Sequence, residues 1–216
     1  MGAMDPAPAT GAAQPHGTPD GRPRRSLTVG VVIPAGGTAR RLGGVSKPAL
    51  QVGDRSIVAR LVGDLRAHPV VVVGPRIDGV SGADVTWCRE DPPGGGPAAA
   101  LAAGIRRLPD VDVVVVVAGD QPFAAGAVPR LVDALAADPT ADVAWGVDAE
   151  DRHQPLLAAY RAGALRTRLT EPADGLSMRQ VTAGLRAAHV RLSPTEATDV
   201  DEPSDLADAR DRVHGT

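Results

Sequence analysis

The chain is short of cysteine, aromatic residues, long apolar runs and net charge, and each shortage excludes something. Cys88 is the only cysteine in 216 residues, so no intrachain disulfide and no Cys-x-x-Cys metal site can form. Four aromatics (Trp87, Phe123, Trp145 and Tyr160) are too few to build a core, which must come from Val, Leu and Ala. The longest apolar run, Val113 to Ala118, is strand-sized and falls far short of the roughly 18–20 residues of a membrane span. With 23 Lys and Arg against 26 Asp and Glu, the formal net charge is −3, without the basic excess usual in a general nucleic-acid binder. The opening residues lack the apolar stretch of a secretory signal. These absences lead us to expect a soluble, cytoplasmic protein with neither nucleic acid nor membrane as partner.

What is present is a rhythm that starts at Leu27. Residues 1–26 are dominated by Pro, Gly, Ala and Thr, which cannot bury enough apolar surface to offset ordering. We expect this tail to be disordered, its Met-Gly-Ala-Met-Asp-Pro opening to be an expression scar, and Arg22, Arg24 and Arg25 to be solvated. Residues 27–216 are expected to form one domain. Thr28–Ile33, Val70–Val73 and Val111–Ala118 read as buried strands, with shorter extended segments at Asp84–Trp87, Val143–Val147, Leu156–Tyr160 and His189–Leu192. Helices are expected over Ile57–Ala67 (capped by Ser56), Pro97–Leu108, Val128–Ala137, Met178–Ala187 and Ser204–Val213. Continuous rather than alternating apolar strands, interleaved with helices, imply a parallel sheet covered on both faces. Ligands then bind beyond the carboxyl ends of the strands.

The first strand runs into Pro34-Ala35-Gly36-Gly37-Thr38-Ala39-Arg40-Arg41-Leu42-Gly43-Gly44-Val45-Ser46-Lys47-Pro48. Glycines let the backbone approach a ligand and turn N–H groups onto anionic oxygens. Arg41 and Lys47 add the cations that a triphosphate or a leaving pyrophosphate requires. The pattern is neither the P-loop GxxxxGK[ST] nor the dinucleotide GxGxxG. At the end of the third strong strand, Asp120 in Ala-Gly-Asp-Gln-Pro-Phe can hold Mg²⁺ against phosphate oxygens, since Mg²⁺ takes one or two carboxylates and fills its shell with phosphates and water.

The loop resembles the signature of the nucleotidyltransferases that attach a nucleotide to the molybdenum cofactor, roughly L-A-G-G-x-S/A-x-R-M-G-G-x-D-K. Ala35, Gly36, Gly37, Ala39, Arg41, Gly43, Gly44 and Lys47 match, while Pro34, Leu42 and Ser46 depart from it. The likeness continues in order over about residues 28–210. It implies a three-layer, Rossmann-like α/β nucleotidyltransferase sandwich with a mostly parallel sheet. It also implies transfer of a nucleoside monophosphate from an NTP to the terminal phosphate of molybdopterin, with release of pyrophosphate. By the same resemblance Lys47, Arg41 and Asp120 are catalytic, with Asp120 the Mg²⁺ ligand. Nucleotide contacts are expected from Pro34, Ala35, Gly36, Gly37, Thr38, Lys47, Asp91, Gly96, Pro97 and Asp120.

Further along, Thr-Asp-Val-Asp-Glu-Pro-Ser-Asp-Leu resembles the family's late loop into a last helix, with Glu202 in place of a capping Thr. Alternation could set Asp199 and Asp201 on one side of a short strand, Asp201 toward the metal and Asp199, with Gln154, toward molybdopterin; helix-terminus electrostatics would also select acids here. His153 reads as a surface-loop residue, Trp145 and Tyr160 as core, and Cys88 as inert core. The Gly36-Gly37 pair, the Pro-Gly-Gly-Gly-Pro segment and Gln-Pro-Leu-Leu resemble the guanylyl branch, whereas Gly-Asp-Gln-Pro is common among cytidylyl enzymes. GTP is therefore the expected donor. The alternatives are a CTP-dependent cytidylyltransferase, a sugar-1-phosphate enzyme and a non-catalytic GTP-binding cofactor chaperone. A monomer is expected, with molybdenum cofactor biosynthesis or acceptor proteins as partners.

Overall fold

Four or five valines in succession suit only a strand buried on both faces, and the sheet is built from such runs. The protein is described by a computed structural model covering residues 26–36, 38–39, 45–80, 82, 85–169, 173 and 175–215. The tail expected to be disordered falls outside these residues up to position 25, as do Gly37 and Arg41.

Strand β1 (Val29–Pro34) opens the fold and is followed by a two-residue ribbon, β2 (Thr38–Ala39) with β3 (Val45–Ser46). A second ribbon, β4 (Gln51–Val52) with β5 (Arg55–Ser56), leads into helix α1 (Ile57–Asp64). Then come β6 (Val70–Val73), β7 (Val85–Cys88), α2 (Gly96–Ile105), β8 (Val113–Val117) and α3 (Val128–Ala137). The last part contains β9 (Val143–Val147), β10 (His153–Arg161), α4 (Ala162–Arg168), α5 (Met178–Thr182), β11 (Ala187–Arg191) and α6 (Pro203–His214). The main sheet has the order β11-β9-β10-β8-β1-β6-β7. β1 runs parallel to β6 and β8, β6 to β7, and β9 to β11. Only β10 is reversed, pairing antiparallel with both β8 and β9.

Alternate strand residues feed two separate cores, which makes three layers. Val31, Ile33, Val113 and Val115 pack with α1, α3 and α6 on one face. Val32, Val71, Val114 and Val116 pack with α2, α4 and α5 on the other. The α/β sandwich with a mostly parallel sheet is therefore observed. Helix α2 lies tight on the sheet because its residues are small: a Cβ on Gly104 would come within 2.5 Å of Val32 Cγ1. No described helix is long and apolar enough to cross a membrane.

Several boundaries move for physical reasons. The helix expected over Ile57–Ala67 ends at Asp64, with Leu65 as its C-cap, while Ser56 caps its start by accepting from the Ala59 N–H. The helix expected over Met178–Ala187 stops at Thr182, because Gly184 adopts φ +74° and Ala187 starts β11. Helix α4 is an element the apolar pattern did not mark. His153 sits in β10 rather than in a loop, its ring stacked on Trp145 at 5.9 Å. Tyr160 is wholly buried, meets Trp145 edge-on and donates its hydroxyl to Pro155 O at 2.7 Å. Burial also pushes the half-buried Cys88 thiol up, in keeping with an inert side chain.

Candidate active site

Three chain turns meet beyond the carboxyl ends of β1, β6 and β8, and backbone hydrogen bonds tie them together. Ala35 N donates to Val73 O, and Gly119 N donates to Pro34 O. The approach is so close that a Cβ on Gly119 would lie 2.8 Å from Pro34 O. Glycine at 119 is thus required by contact, since any side chain would displace the loop after β1.

Lys47 begins a single 3-10 turn (Lys47–Ala49) after β3, with Pro48 buried beneath it. Its ammonium reaches Asp120 Oδ2 at 3.3 Å and also pairs closely with Asp201 Oδ1. Burial lowers the lysine's proton affinity, yet the Asp201 hydrogen bond and the charges of Asp120 and Asp201 outweigh it, so its pKa is raised. Lys47 is the only lysine among the chain's 23 basic residues. Asp120 stands directly past β8, and the same turn accepts the Val200 N–H on Asp120 O at 3.0 Å. That bond brings the segment before α6 to the site.

The strand expected at 199–201 does not form. Val200 is buried and its N–H serves the Asp120 turn instead of a sheet ladder, which frees Asp201 to face Lys47. Asp205 accepts from the backbone N–H groups of Asp201 (3.0 Å) and Glu202 (2.7 Å), fixing this corner where the family pattern has Thr. Loss of solvent and then the charges of Asp201 and Asp120 push the Asp199 carboxyl up, partly offset by its own backbone amide and by Lys47.

These groups open onto a cavity of about 290 Å³, near the lower end of small-molecule sites. Pro34, Gly36, Lys47, Gly96, Pro97 and Asp120, all singled out from sequence, line it. Ala35 does not: it is buried, and its amide is engaged by Val73. Asp91 is exposed and outside the lining, while its neighbour Glu90 lies in the wall. Gln154 donates to Asp148 Oδ2 at 2.8 Å and does not line the cavity. Thr38 pairs through its backbone with Ser46, whereas Gly37 and Arg41 fall outside the described residues. Sequence reading passed over Glu90, Ala100 and Leu156. For Glu90 the signal was its adjacency to Asp91, since of two neighbouring acids in an extended stretch only one faces inward.

Two carboxylates that converge on one cation are a fitting donor set for a hard divalent ion. No group of three or more His, Cys, Asp or Glu able to hold a metal occurs among the described residues. A metal here would take its remaining ligands from phosphates and water.

Comparison with known proteins bears on the fold and the family. The model of the MobA-like NTP transferase domain matches residues 31–191. No curated protein sequence matches the chain. Among solved structures, molybdopterin-guanine dinucleotide biosynthesis protein A from Archaeoglobus fulgidus superposes with TM-score 0.66 at 19% identity, covering 86% of this chain and 99% of its own. The 2-C-methyl-D-erythritol 4-phosphate cytidylyltransferase of Thermus thermophilus gives 0.65 at 22% identity, over 87% and 100%. The corresponding Francisella tularensis enzyme gives 0.66 at 13%, over 84% and 98%. At these identities the structures speak for the fold, while the domain match spans most of the chain: it belongs to the MobA-like NTP transferase family and is a nucleotidyltransferase.

Proposed function

We propose that the protein transfers GMP from GTP to the terminal phosphate of molybdopterin and releases pyrophosphate. The observation that carries this reading is the Lys47 ammonium held between Asp120 and Asp201 at a cavity beyond the strand ends. An acceptor phosphate oxygen attacks the α-phosphorus, a new P–O bond forms, and the bond to the bridging α–β oxygen breaks. Pyrophosphate leaves with that electron pair. Lys47 neutralises charge growing on the leaving oxygens, an interaction stronger in the transition state than in the ground state. Asp120 and Asp201 would hold Mg²⁺, which when bound would supply charge compensation along the triphosphate.

The preference for GTP rests on the guanylyl-like segments around Gly36 and Pro97 and on the molybdopterin-guanine protein among the structural relatives. Cytidylyltransferases of similar overlap make CTP the competing donor. Pure protein mixed with each NTP, Mg²⁺ and molybdopterin, with pyrophosphate measured, separates them. Pyrophosphate from GTP alone is expected. Release with CTP instead refutes the donor, and no release with any NTP refutes the reaction.

A further inference from the structure

The cavity is electrically divided. One end carries the Lys47 ammonium with Asp120 and Asp201. The other carries Glu90, just past β7, with no cationic partner among the described residues. Its Oε1 accepts the Gly94 N–H at 3.1 Å and lies where a Cβ on Gly36 would touch it at 3.5 Å. Its Oε2 is buried and has no hydrogen-bond partner. A buried carboxylate oxygen without a donor costs free energy that a ligand's N–H groups recover. Among the described residues that line the cavity, Gly36, Gly94, Gly96, Pro97 and Ala100 bring no side-chain polar group to compete with Glu90.

A carboxylate repels phosphates, so the triphosphate is directed to the Lys47 end and the base to the Glu90 end. Among the four common bases, only guanine presents two adjacent N–H donors, N1–H and the 2-amino group, along one edge. Cytosine and adenine present a single amino donor beside an acceptor nitrogen, and uracil flanks its one N–H with two carbonyls. Each carboxylate oxygen has two lone pairs, so Oε1 can serve Gly94 and a base donor together. Resting on the GTP reading above, we infer that Glu90 is the base-specificity residue, accepting guanine N1–H and the 2-amino group through its two oxygens. Acceptor–acceptor repulsion against the edge of cytosine makes the same carboxylate a device for rejecting CTP.

The test is equilibrium binding of GTP, CTP and inosine triphosphate with Mg²⁺ to wild type and to Glu90→Gln. Inosine triphosphate keeps N1–H but lacks the 2-amino group, so it probes the contact in the unaltered protein. Glu90→Gln keeps an oxygen for Gly94 and puts an amide NH₂ in place of the other oxygen. Wild type is expected to bind inosine triphosphate about 10-fold more weakly than GTP, the loss of one charge-assisted hydrogen bond. In Glu90→Gln, GTP affinity should fall about 100-fold while CTP is unchanged or improved, and the gap between GTP and inosine triphosphate should close. If wild type favours GTP but binds inosine triphosphate equally well, and Glu90→Gln weakens all three alike, Glu90 holds the ribose and the inference is overturned while the GTP reading stands. A wild-type preference for CTP overturns the GTP reading and the inference with it.

Discussion

The two halves of the sheet treat polar groups in opposite ways. On the β9–β10–β11 side no buried side-chain polar atom of the described residues lacks a partner. Arg161 donates to the carbonyls of Leu135 (2.8 Å), Ala141 (2.9 Å) and Asp138 (3.2 Å), closing the C-terminal end of α3. Buried Asp148 accepts from the backbone of Glu150 and Arg152 and from the side chains of Arg152 and Gln154. On the β8–β1–β6–β7 side, Ser46 Oγ, Glu90 Oε2 and Gln121 Oε1 are buried without partners, next to Lys47, in the cavity wall and next to Asp120. Among the described residues the only other such atom is Arg60 Nε, also in the first half. Unpaired buried polar atoms are costly, and of these residues Glu90 lines the cavity while Ser46 and Gln121 are chain neighbours of the lining residues Lys47 and Asp120.

Substitutions can break that contrast. The largest effect is expected at Asp120: Asp120→Asn keeps the shape and removes the charge, and turnover should fall about 10³-fold with melting temperature nearly unchanged. Near-normal turnover would remove Asp120 from the reaction. Lys47→Ala comes next, with single-turnover transfer at saturating GTP expected to drop about 10²-fold and GTP affinity much less. Equal losses would make Lys47 a binding group only.

The scaffold half should respond in stability instead. Arg161→Met leaves three carbonyls without their charged donor and should cost about 2–3 kcal/mol, read as a melting shift of several degrees. Activity per folded molecule should be preserved; a catalytic defect in folded Arg161→Met would erase the distinction between the halves.

How much of this was legible beforehand divides along the same line. Valine runs at 70–73 and 113–117 announce doubly covered strands, because burial on both faces is written in local composition, whereas much of the Gly-rich turn after β1 lies outside the described residues. The reversed β10 carried no local mark, since Leu156–Tyr160 is apolar in either direction and its sense is fixed only by pairing with Val113–Val117. Lys47 and Asp120 were legible from motif and strand end. The meeting of Lys47 with Asp201, 154 positions apart, depends on Val200 docking to the Asp120 turn. Glu90 was hidden by a one-residue phase that no composition rule resolves.

The smallest effect tests the electrostatics of the scaffold. Burial pushes the Glu196 carboxyl up, but Arg130 (2.6 Å) and the Ser193 N–H and hydroxyl (2.8 and 2.9 Å) outweigh it and hold it below the ordinary 4.5. A depressed carboxyl stabilises the fold above its unfolded pKa and loses that contribution as pH falls through its folded value. Glu196→Gln should therefore cost about 1 kcal/mol at pH 7, and the difference from wild type should shrink below pH 4.5 and vanish on further acidification. A difference independent of pH would assign the loss to packing.

The central claim, that nucleotide phosphates lie against Lys47, has a direct probe in the chain's composition. Lys47 is the only lysine, so an amine-reactive reagent modifies it and the α-amino group alone, and the two peptides are separable by mass. Mg²⁺ and GTP together should protect Lys47 strongly and leave the α-amino group as reactive as before. Labelling of Lys47 at an undiminished rate with GTP bound at saturation would place the phosphates elsewhere and contradict the account.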